Sequence, residues 1–384
     1  MNNRKVHIYY SIIITSLILF FITLNVMASS LKLLSQETIN SLIQATSNPF
    51  IGLFIGLIAT AIIQSSSAVT SIIVTMVAAG TISFQSSIPI IMGANIGTTL
   101  TSTLVSLTFV NQKNKFRRAI AAGTVHDMFN IIVTAILFPL EITTGFLSNI
   151  TSFLSNKFKS LSYNFIDTDI SFITHETKIS SVIVGWFDSY ILLSILSFII
   201  LLITIKLLAK YGSLVLIGES KEKMQRYFFT NPLRSFLWGT VITAGVQSSS
   251  VTTPLVVPLV ATKKISMNQG FAFVMGANIG TTITALLVAI FTGGAAINVA
   301  VVHLLFNLFG VVLFLPNKAF RQIPVVLAEK LGKLTGQYRI AGFIYIIFIF
   351  FLLPYTLIYF SQKSENGITN NKIGSYHEQR VDNQ

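Results

Sequence analysis

Two short polar motifs, each present twice, stand out in an otherwise apolar chain of 384 residues. Gln64-Ser65-Ser66-Ser67 recurs as Gln247-Ser248-Ser249-Ser250. Gly93-Ala94-Asn95-Ile96-Gly97-Thr98-Thr99 recurs as Gly276-Ala277-Asn278-Ile279-Gly280-Thr281-Thr282, and both motifs are displaced by 183 positions. Buried amides and hydroxyls offer hydrogen bonds to an anion and hard oxygen ligands to a cation. From Phe50 to Val110 there is no charged side chain, and from Leu237 to Asn317 only Lys263 and Lys264. An anion held among these motifs is therefore expected to rely on hydroxyls, amide NH₂ groups and backbone N–H at helix ends, with no intramembrane Arg or Lys.

One common offset means one duplicated unit. The alignment runs back to Asn48-Pro49 and Asn231-Pro232 and resumes, slightly shortened, at His126…Asn130 and His303…Asn307. A repeat of this length in an apolar chain suggests two pseudosymmetric halves meeting at a central site, the usual plan of a secondary transporter. Composition sets the class: 52% hydrophobic residues, 10% charged residues and a mean hydropathy of +0.74 leave too little polar surface for a soluble globule. The absence of cysteine excludes disulfides and thiol chemistry. The net charge of +13 sits in short loops, which reads as membrane orientation and not as a nucleic-acid surface.

The first apolar run, about Ile8 to Leu34, is too long for a signal peptide and reads as a retained helix. Segments 111–118, 206–234 and 318–339 are rich in Lys and Arg and should face the cytoplasm, whereas 29–49 and 141–180 should face outside. Seven crossings are expected, among them 88–110, 119–140, 181–208 and 340–361, placing the termini on opposite sides. Three crossings separate Asn48 from Asn231, so the two halves are expected to be inverted. That works only if the stretch from about Phe50 to Gly80 returns to its starting side. As one helix it would span ~46 Å, against a ~30 Å hydrocarbon core, whereas two arms of ~14 residues reach about halfway. A re-entrant hairpin follows, with its tip at Gln64–Ser67, and a second one over about Leu233–Ala261 with its tip at Gln247–Ser250. The paired glycines around Asn95 and Asn278 predict a broken transmembrane helix in each half, opened to present carbonyls. The alternative is that small residues merely let helices approach closely, and the duplicated buried amides favour the opened backbone.

The stretch Ile88-Pro89-Ile90-Ile91-Met92-Gly93-Ala94-Asn95-Ile96-Gly97-Thr98-Thr99, then Phe116-Arg117-Arg118-Ala119 and Val125-His126-Asp127…Phe129-Asn130, resembles the type II sodium-dependent phosphate cotransporters. So do both Gln-Ser-Ser-Ser motifs and Tyr338-Arg339, and the resemblance covers most of residues 48–360. It implies an all-α membrane fold of two inverted-topology repeats, each with a re-entrant helical hairpin and a broken transmembrane helix. By that resemblance, phosphate is expected at Gln64, Ser65, Ser66, Ser67, Asn95, Thr98, Gln247, Ser248, Ser249, Ser250, Asn278 and Thr281. Sodium is expected at Gln64, Asn95, Thr98, Gln247, Asn278, Thr281 and Thr282. Sodium beside phosphate would offset the desolvation of both ions, so neither is comfortable alone. The resemblance implies a plasma-membrane symporter and not an enzyme, with sodium as coupling ion, no further cofactor and no nucleic-acid partner.

The expected organisation is an N-terminal helix and outer loop (1–47), repeat 1 (48–140), a linking region (141–230), repeat 2 (231–320), a cytoplasmic loop with the last helix (321–361), and a polar tail (362–384). That tail is too short for the soluble regulatory domain some relatives append. His126 with Asn130, and His303 with Asn307, are i,i+4 pairs expected to support the neighbouring motif helix more than to line the substrate path. Asp127 has Leu304 opposite it and is expected to make a local ion pair or helix contact. With no acid in either motif region, transport is expected to be electroneutral. Alternatives are a sodium-coupled carrier of a dicarboxylate or sulfate and, remotely, an intramembrane serine protease, for which neither cluster has a G-x-S-x-G context.

Overall fold

The computed structural model describes residues 3–162, 178–217, 227–292, 294–356 and 358–359, and its regular structure there is entirely helical. Among the described residues six helices are long and apolar enough to cross a membrane: His7–Lys32, Phe84–Leu107, Lys113–Thr144, Tyr190–Gly212, Met267–Thr292 and Ala296–Phe314. The expected seventh crossing falls on a shorter apolar helix, Ile340–Thr356, which contains a π-helical turn at Phe348–Leu352. The polar tail lies outside the described residues.

Both hairpins are present, and the packing shows why each must turn back. In the first half the arm Pro49–Ile63 lies on the helix Phe84–Gly97 with Gly52 beside Pro89, Gly56 beside Ile90 and Ala94, and Gly97 beside Thr60 and Ala61, so the two run parallel. Phe84 therefore starts near the level of Pro49. Only residues 79–83 join it to the second arm, Ser66–Ala78, so that arm has to return to the side where the hairpin began. The second half repeats this: Gly276 meets Phe236 and Thr240, Gly280 meets Thr243 and Ala244, and residues 262–266 join Val256–Ala261 to Met267. The hydroxyls of Thr243 and Thr252, nine residues apart, meet at 2.7 Å across the fold of the chain.

Those glycines correct the expectation of two opened helices. Phe84–Gly97 is interrupted only at Thr98–Thr99, both in right-handed helical conformation, before Leu100–Leu107 continues. Met267–Thr292 runs through the second motif without a break. A Cβ on Gly93 would collide with the Leu53 carbonyl, and one on Gly276 with the Phe236 carbonyl. The glycines let backbones touch; they do not unwind them.

The linking region also differs from expectation. The helix Lys113–Thr144 ends at left-handed Gly145 (φ 62°) and gives way to another helix, Phe146–Ser162, where an outer loop was expected. The Glu141 carboxylate accepts from the backbone N–H of Leu147 (2.6 Å) and Ser148 (3.3 Å), satisfying donors at that helix start. The expected crossing 181–208 divides into Lys178–Gly185 and Tyr190–Ile217, so Lys206 and Lys210 belong to a helix and not to a loop. Residues 34–49 hold a helix, Gln36–Ala45, bent by 95° against the first hairpin arm. The halves share a core: Phe129 of the first stacks edge-on against Phe271 (5.8 Å) and Phe314 (5.6 Å) of the second.

Candidate functional site

Each hairpin tip is built by the same local code. Asn48 and Asn231 cap the first arms, accepting from Phe50 N–H (2.9 Å) and Arg234 N–H (2.9 Å), and Pro49 and Pro232 fill the first helical position, where a missing N–H costs nothing. Fifteen residues later Gln64 (φ 59°) and Gln247 (φ 57°) enter the left-handed region, and Ser65 and Ser248 are extended. Glutamine in that conformation is uncommon, and its use twice at matched positions marks two constrained turns. Ser65 then caps the second arm by accepting from Ala68 N–H at 3.2 Å. In the second hairpin that arm is broken into Ser249–Thr252, a 3₁₀ turn and Val256–Ala261, with Pro254 and Pro258 where the first arm has Ser71 and Thr75.

The two tips meet. Ser67 Oγ donates to the Gln247 carbonyl at 3.1 Å, and the Ser102 and Thr253 hydroxyls lie 3.0 Å apart. Beside this contact is a cavity of about 410 Å³ lined by Gln64, Ser65, Thr101, Ser248 and Ser250, and by Lys206 and Lys210 of the helix Tyr190–Ile217. Among the described residues the buried hydroxyls of Thr101 and Ser250 have no hydrogen-bond partner. Two donors without partners and two ammonium-bearing side chains are suited to an oxyanion. Neither polar motif carries a cation, as the sequence requires, but cationic side chains do line the cavity between the tips: both lysines come from the linking helix, outside either repeat.

Asn95 and Asn278 lie elsewhere, in a buried network that crosses between the halves. His126 Nε2 donates to Asn278 Oδ1 at 2.7 Å, and His303 Nε2 points at Asn95 Oδ1 at 3.3 Å. An amide oxygen only accepts, which fixes the proton on Nε2 in each ring. Asn278 Nδ2 donates to Asn130 Oδ1 (3.0 Å), Asn130 Nδ2 to the Asn95 carbonyl (2.6 Å), and Asn307 Nδ2 to Asn95 Oδ1 (3.2 Å). Each histidine thus supports the motif helix of the opposite half, not of its own.

The threonines point to a division of labour. Thr98 and Thr281 donate to the Ala94 and Ala277 carbonyls (2.9 and 2.8 Å), and Thr99 and Thr282 to those of Ile96 and Ile279 (2.7 Å each). A hydroxyl whose proton is spent on its own helix keeps only lone pairs, which suit a hard cation better than an anion. Asp127 is fully buried and makes no ion pair with Arg118, whose Nε donates instead to Ala261 O. Its Oδ2 accepts from Tyr345 Oη (2.8 Å) and Thr103 Oγ1 (3.3 Å), while Oδ1 has no partner among the described residues. A carboxylate therefore does reach the segment that follows Thr98–Thr99.

Sequence reasoning missed Lys206, Lys210, Thr101, Thr103 and Tyr345. The i,i+4 spacing of the two lysines at the end of an apolar run was the available signal.

The Na+/Pi-cotransporter family model matches residues 19–166 and 200–334. The chain is similar to sodium-dependent phosphate transport protein 2A of Rattus norvegicus, with 32% identity over 416 aligned positions covering 88% of this chain and 65% of the relative. The 2A protein of Ovis aries is 30% identical, covering 89% of this chain and 66% of the relative. The 2B protein of Homo sapiens is 28% identical, covering 90% and 64%. The chain thus spans just under two thirds of the length of these relatives. No solved structure matches it. A family match over both duplicated segments, together with 32% identity to a curated relative across 88% of the chain, establishes that this chain belongs to the Na+/Pi-cotransporter family.

Proposed function

We propose that this chain is a sodium-coupled phosphate symporter of the plasma membrane, working by alternating access between two inverted-topology repeats. The observation that carries the reading is the cavity at the meeting point of the two Gln-Ser-Ser-Ser tips, with donors from Ser65, Ser248, Ser250 and Thr101 and positive charge from Lys206 and Lys210. Phosphate takes these donors, with Ser66 and Ser249 completing the tips, while Ser67, whose proton goes to the Gln247 carbonyl, holds the two tips together. Sodium takes the lone pairs of Thr98, Thr281 and Thr282 and the amide oxygens of Gln64 and Gln247. Asn95 and Asn278, whose oxygens already accept from histidine and asparagine, position the motif helices instead of touching phosphate. The relatives' names, which specify sodium-dependent phosphate transport, support the choice of ions. The test is labelled phosphate uptake into proteoliposomes under an imposed sodium gradient: uptake abolished by replacing sodium with potassium, and competed by phosphate more than by sulfate or a dicarboxylate, is expected. Uptake indifferent to sodium would refute it.

A further inference from the structure

A second basic cavity, sharing no wall residue with the first, lies on the side that loop charge assigns to the cytoplasm. Its volume is about 550 Å³. Arg117 and Arg118 reach it from the start of the helix Lys113–Thr144, Lys263 and Lys264 from the turn after the second hairpin, and Lys333 from the helix Lys318–Gln337. Among the described residues Glu329 is the one acid in its wall. Orienting a membrane protein requires cations in cytoplasmic loops but does not require them to converge. Here three segments distant in sequence bring five cations to one cleft against one carboxylate, an arrangement that repels itself unless an anion compensates it.

The cleft is also shaped and fixed. Arg118 Nε is held by Ala261 O at 2.8 Å, which leaves its terminal NH₂ groups for a ligand. The lysine turn is tied back by Lys263 N–H to Val260 O (3.0 Å) and Lys264 N–H to Leu259 O (2.9 Å). Gly332 and Gly336 bring the helix Lys318–Gln337 against the backbone and side chain of Arg117. The volume falls within the range of roughly 300–1,000 Å³ typical of small-molecule sites and exceeds what one inorganic phosphate needs. Basic pockets between transmembrane helices on the cytoplasmic side suit phosphate-bearing head groups, and arginine is the side chain that grips a phosphate through two parallel N–H bonds.

We propose that this cleft binds an organic phosphate, with its phosphate group on Arg117 and Arg118 and the rest of its charge against Lys263, Lys264 and Lys333. The chemistry is shared by an anionic phospholipid head group and a soluble phosphate ester. A bound ligand ties the exit of the second hairpin to two helices and so stabilises the arrangement seen here.

The test uses the full chain, purified and stripped of lipid in a neutral detergent, and reads the thermal unfolding midpoint during titration with dioctanoyl phosphatidic acid or with glycerol 3-phosphate. A saturable rise is expected for wild type, weakened at least tenfold in apparent affinity by Arg117→Gln with Lys264→Gln, and unchanged by Lys206→Gln with Lys210→Gln. Lys333→Gln, at an exposed helix position, weakens it in the same direction and serves if the first double variant does not fold. A response to the lipid alone identifies a membrane source; a response to glycerol 3-phosphate identifies a soluble one. No saturable response to either, or one that survives both cleft variants, overturns the proposal. Because the readout is binding, it does not depend on whether the chain transports phosphate.

Discussion

Replacing Gly93 by alanine separates the two uses a transmembrane helix makes of glycine, because they predict opposite signs. If Gly93 served to open the helix, alanine would stabilise that helix by about 1 kcal/mol through better propensity. The structure predicts the reverse. A Cβ at Gly93 would overlap the Leu53 carbonyl and crowd Leu57 N at 2.9 Å, and both obstacles are backbone, which cannot rotate aside. The arm Pro49–Ile63 would have to move bodily, so the cost belongs at the top of the overpacking range, about 3 kcal/mol or more. At about 2 °C per kcal/mol for a chain of this size, the unfolding midpoint falls by about 6 °C. Gly276→Ala should act alike through Phe236 O, whereas Gly52→Ala meets the Ile90 and Pro89 side chains at 3.4 and 3.5 Å and the Ser86 carbonyl at 3.7 Å, all ordinary contacts, and should stay within about 1 kcal/mol of wild type. The assay is thermal unfolding of detergent-solubilised protein, paired with uptake, since displacing the arm also displaces Gln64. A Gly93→Ala protein as stable as wild type would refute the close-packing account.

Gln64→Ala and Gln247→Ala are each expected to abolish sodium-driven phosphate uptake while leaving protein in the membrane; near-normal uptake by either would refute a site built from both tips. Lys206→Gln with Lys210→Gln should raise the phosphate KM about tenfold or more with a smaller change in kcat, because long-range attraction acts chiefly on capture; an unchanged KM would remove the lysines from the site. The unpartnered Oδ1 of Asp127 sets a test of the expected electroneutrality: two sodium ions would balance divalent phosphate, and a third held by this carboxylate would leave one uncompensated charge, worth ~2.3 kcal/mol per 100 mV. Uptake clamped with potassium and valinomycin should rise with inside-negative potential in wild type and lose that response in Asp127→Asn, and a wild type indifferent to potential would defeat the argument.

The hairpins were legible in sequence because a physical conflict announces them: four consecutive polar residues cannot share one helix face, and 31 residues are too many for one crossing and too few for two. The duplicated Asn-Pro starts give the arms their length. The glycine motifs misled because glycine weakens a helix and also admits a neighbour's backbone, and only the position of the neighbour, Leu53 or Phe236, separates the two. Lys206 and Lys210 were counted with a cytoplasmic loop because the apolar run ends near them, although the helix continues to Ile217. The i,i+4 pairs His126–Asn130 and His303–Asn307 were visible as faces, but which asparagine each histidine meets depends on how the halves cross.

That crossing gives a physical reason for two copies of the motif in one chain. A buried amide oxygen without a partner costs about 1–3 kcal/mol, and its own half supplies neither Asn95 nor Asn278 with a histidine. Asn278 Oδ1 is satisfied from the first half by His126, and Asn95 Oδ1 from the second by His303 and Asn307. Separating the halves would strand both amides in an apolar interior at once, so the polar motifs act as a register that is satisfied only when the repeats are correctly mated. The Ser67 contact to the Gln247 carbonyl extends the same dependence to the hairpin tips. The cavity between the two tips is therefore formed where each repeat completes the other.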